Sequence, residues 1–444
     1  MGQGAEEHMY LCIDLKSFYA SVECAARGLD PFTTNLVVAD PDRTESTICL
    51  AITPAMKDLG IRNRCRVFEI PPEVDFIIAK PRMKHYMEVS AQIVAIYFRY
   101  ISPADMHVYS IDECFIDATP YCKLYGVSPK QLAVRLMDAV RRETGICATA
   151  GIGTNLFLAK LALDITAKHV DDHIGFLDED AFRAHIWHHR PITDIWNIGP
   201  GIARRLAKYH VFDLHGVTQL DPDVLYREFG VNAEFLIDHA WGIEPCTIAE
   251  IQAYEPEETS ITNGQVLPCD YSWEEARMVM HEMVDVSVLE LVDRGLVSDR
   301  ISLSVGYAHD NTAAPDAGPV FVGEHGVRAQ SRYAGHTGGS RRIPVRTNSF
   351  KTLLGHFEAL FDETTRTDRP IRRVNIGFGS LVSEDFATVD LFSNTAALEK
   401  ERALQEAMLA VKGKFGKNAM LKGTNLQEKA TTRERNQMVG GHHG

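Results

Sequence analysis

Several things are missing from this chain, and each absence narrows what it is. No apolar run approaches the ~18 residues that a membrane-spanning helix needs, so no membrane partner is expected. The opening residues, MGQGAEEHMYL, hold no basic stretch followed by an apolar core. No secretory signal is read there, and a cytoplasmic location is expected. The nine cysteines are odd in number, scattered and without a CxxC pair, which argues for reduced thiols rather than disulfides or a zinc site. No repeat of solenoid period is present. Positive charge is short too: 46 Lys and Arg against 60 Asp and Glu leave a net charge of −14. That balance argues mildly against a nucleic-acid binder, because phosphate contacts need cations.

What is present starts with length. At 444 residues the chain has room for two to four domains. Its mean charge hides a gradient. Between Arg328 and Arg373 lie ten Lys and Arg, including Arg341, Arg342 and Arg346, against four acids. This local excess reads either as a nucleic-acid footprint or as a solvated charged face.

The stretch that carries most chemistry is Tyr109–Asp117, YSIDECFID. It reads as a strand interrupted by two adjacent carboxylates, Asp112 and Glu113. Adjacent acids in an apolar strand are costly unless a cation sits with them. A second apolar run, Met9–Ile13, ends in Asp14 and leads into LKSFYASVE. Three carboxylates converging on two divalent metals is the layout of a phosphoryl- or nucleotidyl-transfer site. The plainer alternative is that Asp14 caps a helix starting near Ser17 and that the other two acids face solvent at a strand end.

In chain order, the patterns predict a strand at 9–14, a helix at 17–27, a strand at 36–39, another at 47–52 and a short helix at 54–59. Region 20–82 reads as an insertion between two halves of a sheet domain. Helices are expected at 87–100, 128–144 and 155–168, with a strand at 147–153. The order implies an α+β sheet with helices on one face and the two acidic strands side by side. The stretch WNIGPGIARRLAKY at 196–209 pairs Gly199 and Gly201 with a basic helix bearing Arg204. It reads as a helix-hairpin-helix that grips a DNA backbone, or as an ordinary helical hairpin. Residues 245–258 read as a linker, 260–415 as an alternating strand–helix domain and 421–444 as a polar, poorly ordered tail.

Together the motifs DLKSFYASVE (14–23), YSIDECFID (109–117), GIGTNLFLAKLALDITAK (151–168) and NIGPGIARRL (197–206) resemble the Y-family of translesion DNA polymerases, most closely the UmuC-like bacterial branch. The resemblance implies an α+β multidomain right hand. Its ferredoxin-like palm would span 1–19 and 83–175, small fingers 20–82, a helical thumb 176–244, a linker 245–258, an α/β little finger 259–415 and a tail 416–444. It implies a template-directed polymerase that adds dNTPs to a primer 3′-hydroxyl opposite damaged template. Asp14, Asp112, Glu113 and the main-chain carbonyl of Leu15 would hold two Mg²⁺ ions, or Mn²⁺ in their place. Phe18, Tyr19, Lys57 and Lys168 would bind the dNTP, with Tyr19 as the steric gate against ribose. Core packing is the alternative for Phe18. Lys57 stands where most members have arginine, and Pro54 where most have tyrosine. Lys160 reads as structural or backbone-facing. Gly199, Gly201, Arg204, Arg341, Arg342 and Arg346 would contact primer-template DNA. The pentapeptide TVDLF at 388–392 resembles a sliding-clamp peptide, with Leu391 and Phe392 as anchors, or belongs to the little finger's own structure. Other SOS-type proteins are implied as partners, and the cytoplasmic protein would associate with the nucleoid. Two rival readings are an accessory scaffold bridging DNA, clamp and partner polymerases, and a nucleotide cyclase.

Overall fold

Strand Tyr10–Leu15 is the axis of a five-stranded sheet. The order is Met106–Val108, Glu113–Asp117, Tyr10–Leu15, Ala148–Gly153, Ile174–Leu177. Alternation along the axis gives each face its own core. Leu11, Ile13 and Leu15 pack with helices Met83–Tyr97 and Pro129–Thr144. Tyr10 and Cys12 face the opposite way, onto helix Leu156–Asp164. Helices therefore cover both faces of the sheet, not the single face expected. A strand buried on both sides needs apolar cover on both sides.

The computed structural model describes residues 8–42, 47–256, 259–308, 320–322, 328–330, 335–389 and 394–443. The chain divides into two compact units, residues 1–254 with the last three residues, and 255–441. Among the described residues no helix is long and apolar enough to cross a membrane.

Local signals explain most elements of the first unit. Helix Pro129–Thr144 starts in a Ser128–Gln131 capping box with proline in its first turn, and ends at Gly145 with φ of 71°. Strands Leu36–Val38, Ala51–Ile52 and Ile77–Ala79 form a separate small sheet with its own core around Val37, Ile52 and Met56. Helices Pro200–Ala207, Leu214–Thr218, Pro222–Phe229 and Ala233–Trp241 form a helical subdomain.

Three boundaries differ from those expected. Strand Ile174–Leu177 runs parallel to Ala148–Gly153 and straddles the 175/176 cut between palm and thumb. The supposed linker holds helix Ile248–Ala253, opened by a Thr247–Glu250 capping box. Ile248 is buried against Tyr10 and Cys12, and Gln252 donates to the carbonyls of Pro103 and Met106 at 3.0 Å each. The supposed tail is docked on the second unit. Asn425 and the Thr431 N–H both donate to Glu282 at 2.8 Å, and Glu282 is only 2% exposed. A buried carboxylate gives that polar segment a place to bind which composition does not reveal.

The second unit is a mainly antiparallel sheet, in the order Arg328–Gln330, Val320–Val322, His336–Thr347, Leu296–Tyr307, Ile371–Gly379, Ile261–Tyr271. Helices Trp273–Asp293 and Phe350–Thr364 cover one face. Ile301, Leu303, Val305, Val374 and Ile376 point to those helices, so their strand neighbours lie on the other face.

Helix Leu156–Asp164 lies flush on the central sheet because two strand positions carry no side chain. A Cβ at Gly151 would sit 2.1 Å from the Ala159 carbonyl oxygen, and one at Gly153 would sit 2.2 Å from the Ala159 nitrogen. Backbone cannot yield as a side-chain tip does. Gly151→Ala is therefore expected to destabilise the first unit by about 3 kcal/mol, read as a lower midpoint in urea unfolding with unchanged slope.

Candidate active site

Antiparallel register brings the acids together. Asp14 pairs directly with Glu113 between adjacent strands, so their side chains share a face. That face is the one covered by helix Leu156–Asp164. The strand begins at Glu113, not at Tyr109. Residues 109–112 instead form a tight turn in which the N–H groups of Tyr109 and Ser110 both donate to the Glu113 carbonyl at 3.0 Å. The Leu15 N–H donates to the Asp112 carbonyl at 2.9 Å, which anchors Asp112 beside the end of the axis strand. Ser110 Oγ donates to Asp112 Oδ1 at 2.7 Å. Asp14 is a strand residue and caps nothing. Helix Phe18–Ala26 starts at Ser17, which takes a left-handed conformation with φ of 48°.

The three acids have different surroundings. Glu113 is bound on both oxygens: Lys160 Nζ donates to Oε2 at 2.8 Å, and the Cys12 thiol donates to Oε1 at 3.1 Å. Lys160 also reaches Asp164 at 3.1 Å. Among the described residues, neither Asp14 nor Asp112 pairs with a lysine or arginine. Burial raises the pKa of Asp14, and the negative charges of Asp112 and Glu113 add to the rise, to about 7. Lys160 opposes that rise and Asp164 reinforces it. The one described group of His, Cys, Asp and Glu with ligand atoms all within 4.8 Å of one another is His188, Asp213 and His215, far along the chain. There Asp213 is already held by Arg190 at 2.8 Å.

Besides Lys160, one lysine, Lys57, lies within electrostatic reach of Asp14. Lys57 is exposed and Lys168 is exposed, and neither forms an ion pair among the described residues. Desolvation of its ammonium lowers the pKa of Lys57; Asp14 pulls it back up, and Lys168 lowers it further. Lys57 thus feels both Asp14 and Lys168. Lys16 sits 5.7 Å over the Phe32 ring and is lowered by burial and by Lys57. Tyr19 is half-buried, and its pKa is raised by burial and then by Asp112. Phe18, expected at the nucleotide, is 2% exposed and belongs to the core.

Other expected contacts scatter. Gly199 caps helix Pro200–Ala207, and Gly199, Gly201 and Arg204 are all exposed. Trp196, just before that turn, donates its indole N–H to the Tyr109 hydroxyl at 3.2 Å. In the second unit Arg342 and Arg346 lie on the open sheet face near Asp299, at 3.3 and 3.6 Å. Arg341 does not join them. It alternates to the helical face and pairs with Glu363 at 2.5 Å. Leu391 and Phe392 lie outside the described residues.

A model of the impB/mucB/samB family matches residues 13–164, and the model of that family's C-terminal domain matches 258–391. Together they span well over half of the chain. The chain belongs to the impB/mucB/samB family. All three acids fall within the first matched segment. A relative from Bacillus subtilis strain 168, named "Putative UV-damage repair protein UvrX", is 28% identical over 437 residues, covering 97% of each chain. DNA polymerase IV 2 of the same organism is 27% identical over 451 residues, covering 99% of each. A solved Y-family polymerase chimera of Dbh and Dpo4 superposes with a TM-score of 0.60 over 84% of this chain and 99% of its own, at 17% identity. The impB/mucB/samB chain thus has the Y-family polymerase fold.

Sequence reasoning missed Lys160 and Cys12 as neighbours of Glu113. The i, i+4 spacing of Lys160 and Asp164 was the available signal. Asp14 yields a pH prediction. Unfolded, it loses its proton near 3.8; folded, near about 7. Between those values the native state binds more protons, so stability falls as pH rises. In chelator-treated buffer the melting temperature should drop between about pH 4 and pH 7, and Asp14→Asn should flatten that drop.

Proposed function

We propose that this chain is a DNA-directed DNA polymerase of the translesion type, extending a primer 3′-hydroxyl with dNTPs opposite damaged template. The observation that carries the reading is the gathering of Asp14, Asp112 and Glu113 at one end of paired strands, with Lys57 in the field of Asp14 and Lys168 in the field of Lys57. The DNA polymerase IV and UV-repair names of its relatives support it.

The donor set suits hard divalent cations. Its side chains are carboxylates, two of them, Asp14 and Asp112, have no cationic partner among the described residues, and burial together with the charges of Asp112 and Glu113 pushes Asp14 up to about 7. Asp14, Asp112, Glu113 and the Leu15 carbonyl would hold Mg²⁺, with Mn²⁺ as substitute. Two such ions, when bound, supply acidification of the primer hydroxyl and neutralisation of the triphosphate. The chain's own residues do the rest. Asp112 is oriented by Ser110. Lys57 and Lys168 draw the β- and γ-phosphates as point charges. Tyr19 excludes the ribose 2′-hydroxyl. Exposed backbone around Gly199 and Gly201, with Arg204, takes DNA phosphate, as do Arg342 and Arg346 on the second unit's open face. Leu391 and Phe392 are the proposed anchors on a sliding clamp, on the strength of the TVDLF sequence. Retention of all three acids weighs against the scaffold reading.

Primer extension across an abasic site tests this directly. Asp112→Asn with Glu113→Gln should lower kcat by about a thousandfold or more, some 4 kcal/mol of transition-state stabilisation. Undiminished synthesis by that variant would refute the assignment. Lys168→Ala should raise KM for dNTP by about tenfold while kcat changes less.

A further inference from the structure

Tyr19 stands on helix Phe18–Ala26, where it is half-buried and within the electrostatic reach of Asp112. Its ring is held from two sides. Phe18 lies at 5.7 Å, tilted by 48°. Tyr86, from helix Met83–Tyr97, stacks on it at 4.6 Å and 19°. Of the two, Tyr86 is the closer and the more nearly parallel.

Tyr86 is itself fixed. It is fully buried, and its hydroxyl donates to Glu23 Oε1 at 2.8 Å. Glu23 is also fully buried. Arg82 Nε donates to the same oxygen at 2.8 Å, and Arg27 bonds the other oxygen and the Glu23 carbonyl. A buried carboxylate with donors on both oxygens has one orientation available. Glu23 follows Tyr19 by four residues, so the two side chains stand one helical turn apart on the same face. Tyr86 therefore grips adjacent turns of one helix, with its face on Tyr19 and its hydroxyl on Glu23. Ring position at Tyr19 is tied to that helix at two points.

We infer that Tyr86 is a positioning residue for sugar selection: by fixing the Tyr19 ring, it sets how strongly the enzyme rejects ribonucleoside triphosphates. The inference rests on Tyr19 being the steric gate, as proposed above. Exclusion by contact is steep in distance, so a ring free to shift by about 1 Å gives space to a hydroxyl oxygen. A gate of this kind discriminates only as well as its ring is held. Glu23, Arg27 and Arg82 act through Tyr86 and touch no nucleotide in this account.

The test is single-nucleotide incorporation by the full chain on one undamaged primer-template, with each dNTP and its matching rNTP, for Tyr19→Ala, Tyr86→Leu, Tyr86→Phe and Glu23→Gln. Tyr19→Ala should reduce the dNTP/rNTP ratio of kcat/KM by about a hundredfold. Tyr86→Leu removes the stack and should reduce it by about tenfold, through better use of rNTP, with kcat for dNTP within about threefold of the parent. Tyr86→Phe and Glu23→Gln loosen the tether alone and should each reduce the ratio by about threefold. An unchanged ratio in the Tyr86 variants, beside a collapse in Tyr19→Ala, overturns the inference and leaves the gate standing. An unchanged ratio in Tyr19→Ala overturns the gate and the inference with it. Equal losses for dNTP and rNTP in the Tyr86 variants mean a structural role only, and also overturn it. If Tyr86→Leu fails to fold, the near-isosteric Tyr86→Phe and Glu23→Gln decide by the same ratio.

Discussion

The ion pair between Lys160 and Glu113 is the interaction on which the candidate site depends. Glu113, Asp14, Asp112 and Asp164 act on one another inside a partly closed sheet edge, with one buried ammonium among them. An unpaired carboxylate at the buried position of Glu113 would be strongly unfavourable. Lys160 pairs with Glu113 and Asp164 and leaves Asp14 and Asp112 without a cationic partner among the described residues. The cluster is thus compensated enough to fold and still negative enough to attract divalent cations.

That ion pair needs a close approach of helix and sheet. Lys160 reaches Glu113 because helix Leu156–Asp164 lies against strand Ala148–Gly153 with no side chain between their backbones at Gly151 and Gly153. The same contact continues at Gly175, where a Cβ would meet the Ala162 carbonyl oxygen at 2.2 Å. Small residues in the sheet, which make no chemistry themselves, therefore determine where the counter-ion sits. A string of rings extends from the site in the other direction. Tyr109, three residues before Asp112, meets Trp196 at 5.9 Å; Trp196 meets His239 at 6.1 Å, and His239 stacks on Phe157 at 4.0 Å. The acidic turn and the glycine hairpin are packed as neighbours within one unit.

Much of this was legible in the amino-acid order. Apolar alternation ending in Asp14 and resuming around Glu113 gave paired strands, and the pairing is direct. The helix expected at 128–144 runs over Pro129–Thr144, within a residue of its ends, because caps are local chemistry. Legibility failed where a segment's partner is distant. Helix Ile248–Ala253 looked like linker because its short apolar face is covered by Tyr10 and Cys12, more than two hundred residues away. The polar stretch after Phe415 looked disordered because its binding partner is a buried Glu282 on another helix. Arg341 was grouped with Arg342 by proximity in sequence, yet adjacent strand residues face opposite ways.

The sequence by itself marked the candidate groups: three carboxylates, two lysines proposed for phosphate and an aromatic beside the first acid. Residue type and local periodicity are properties of the chain alone. Tertiary structure decided which of those groups are held and which are open. Lys160 faces Glu113 rather than solvent, Phe18 enters the core while Tyr19 does not, and Tyr86 arrives from a separate helix to stack on it. The physical reason is that pairing and burial depend on distance in space, and contacts between residues 12, 113 and 160, or 19, 23 and 86, form only when the strands and helices pack.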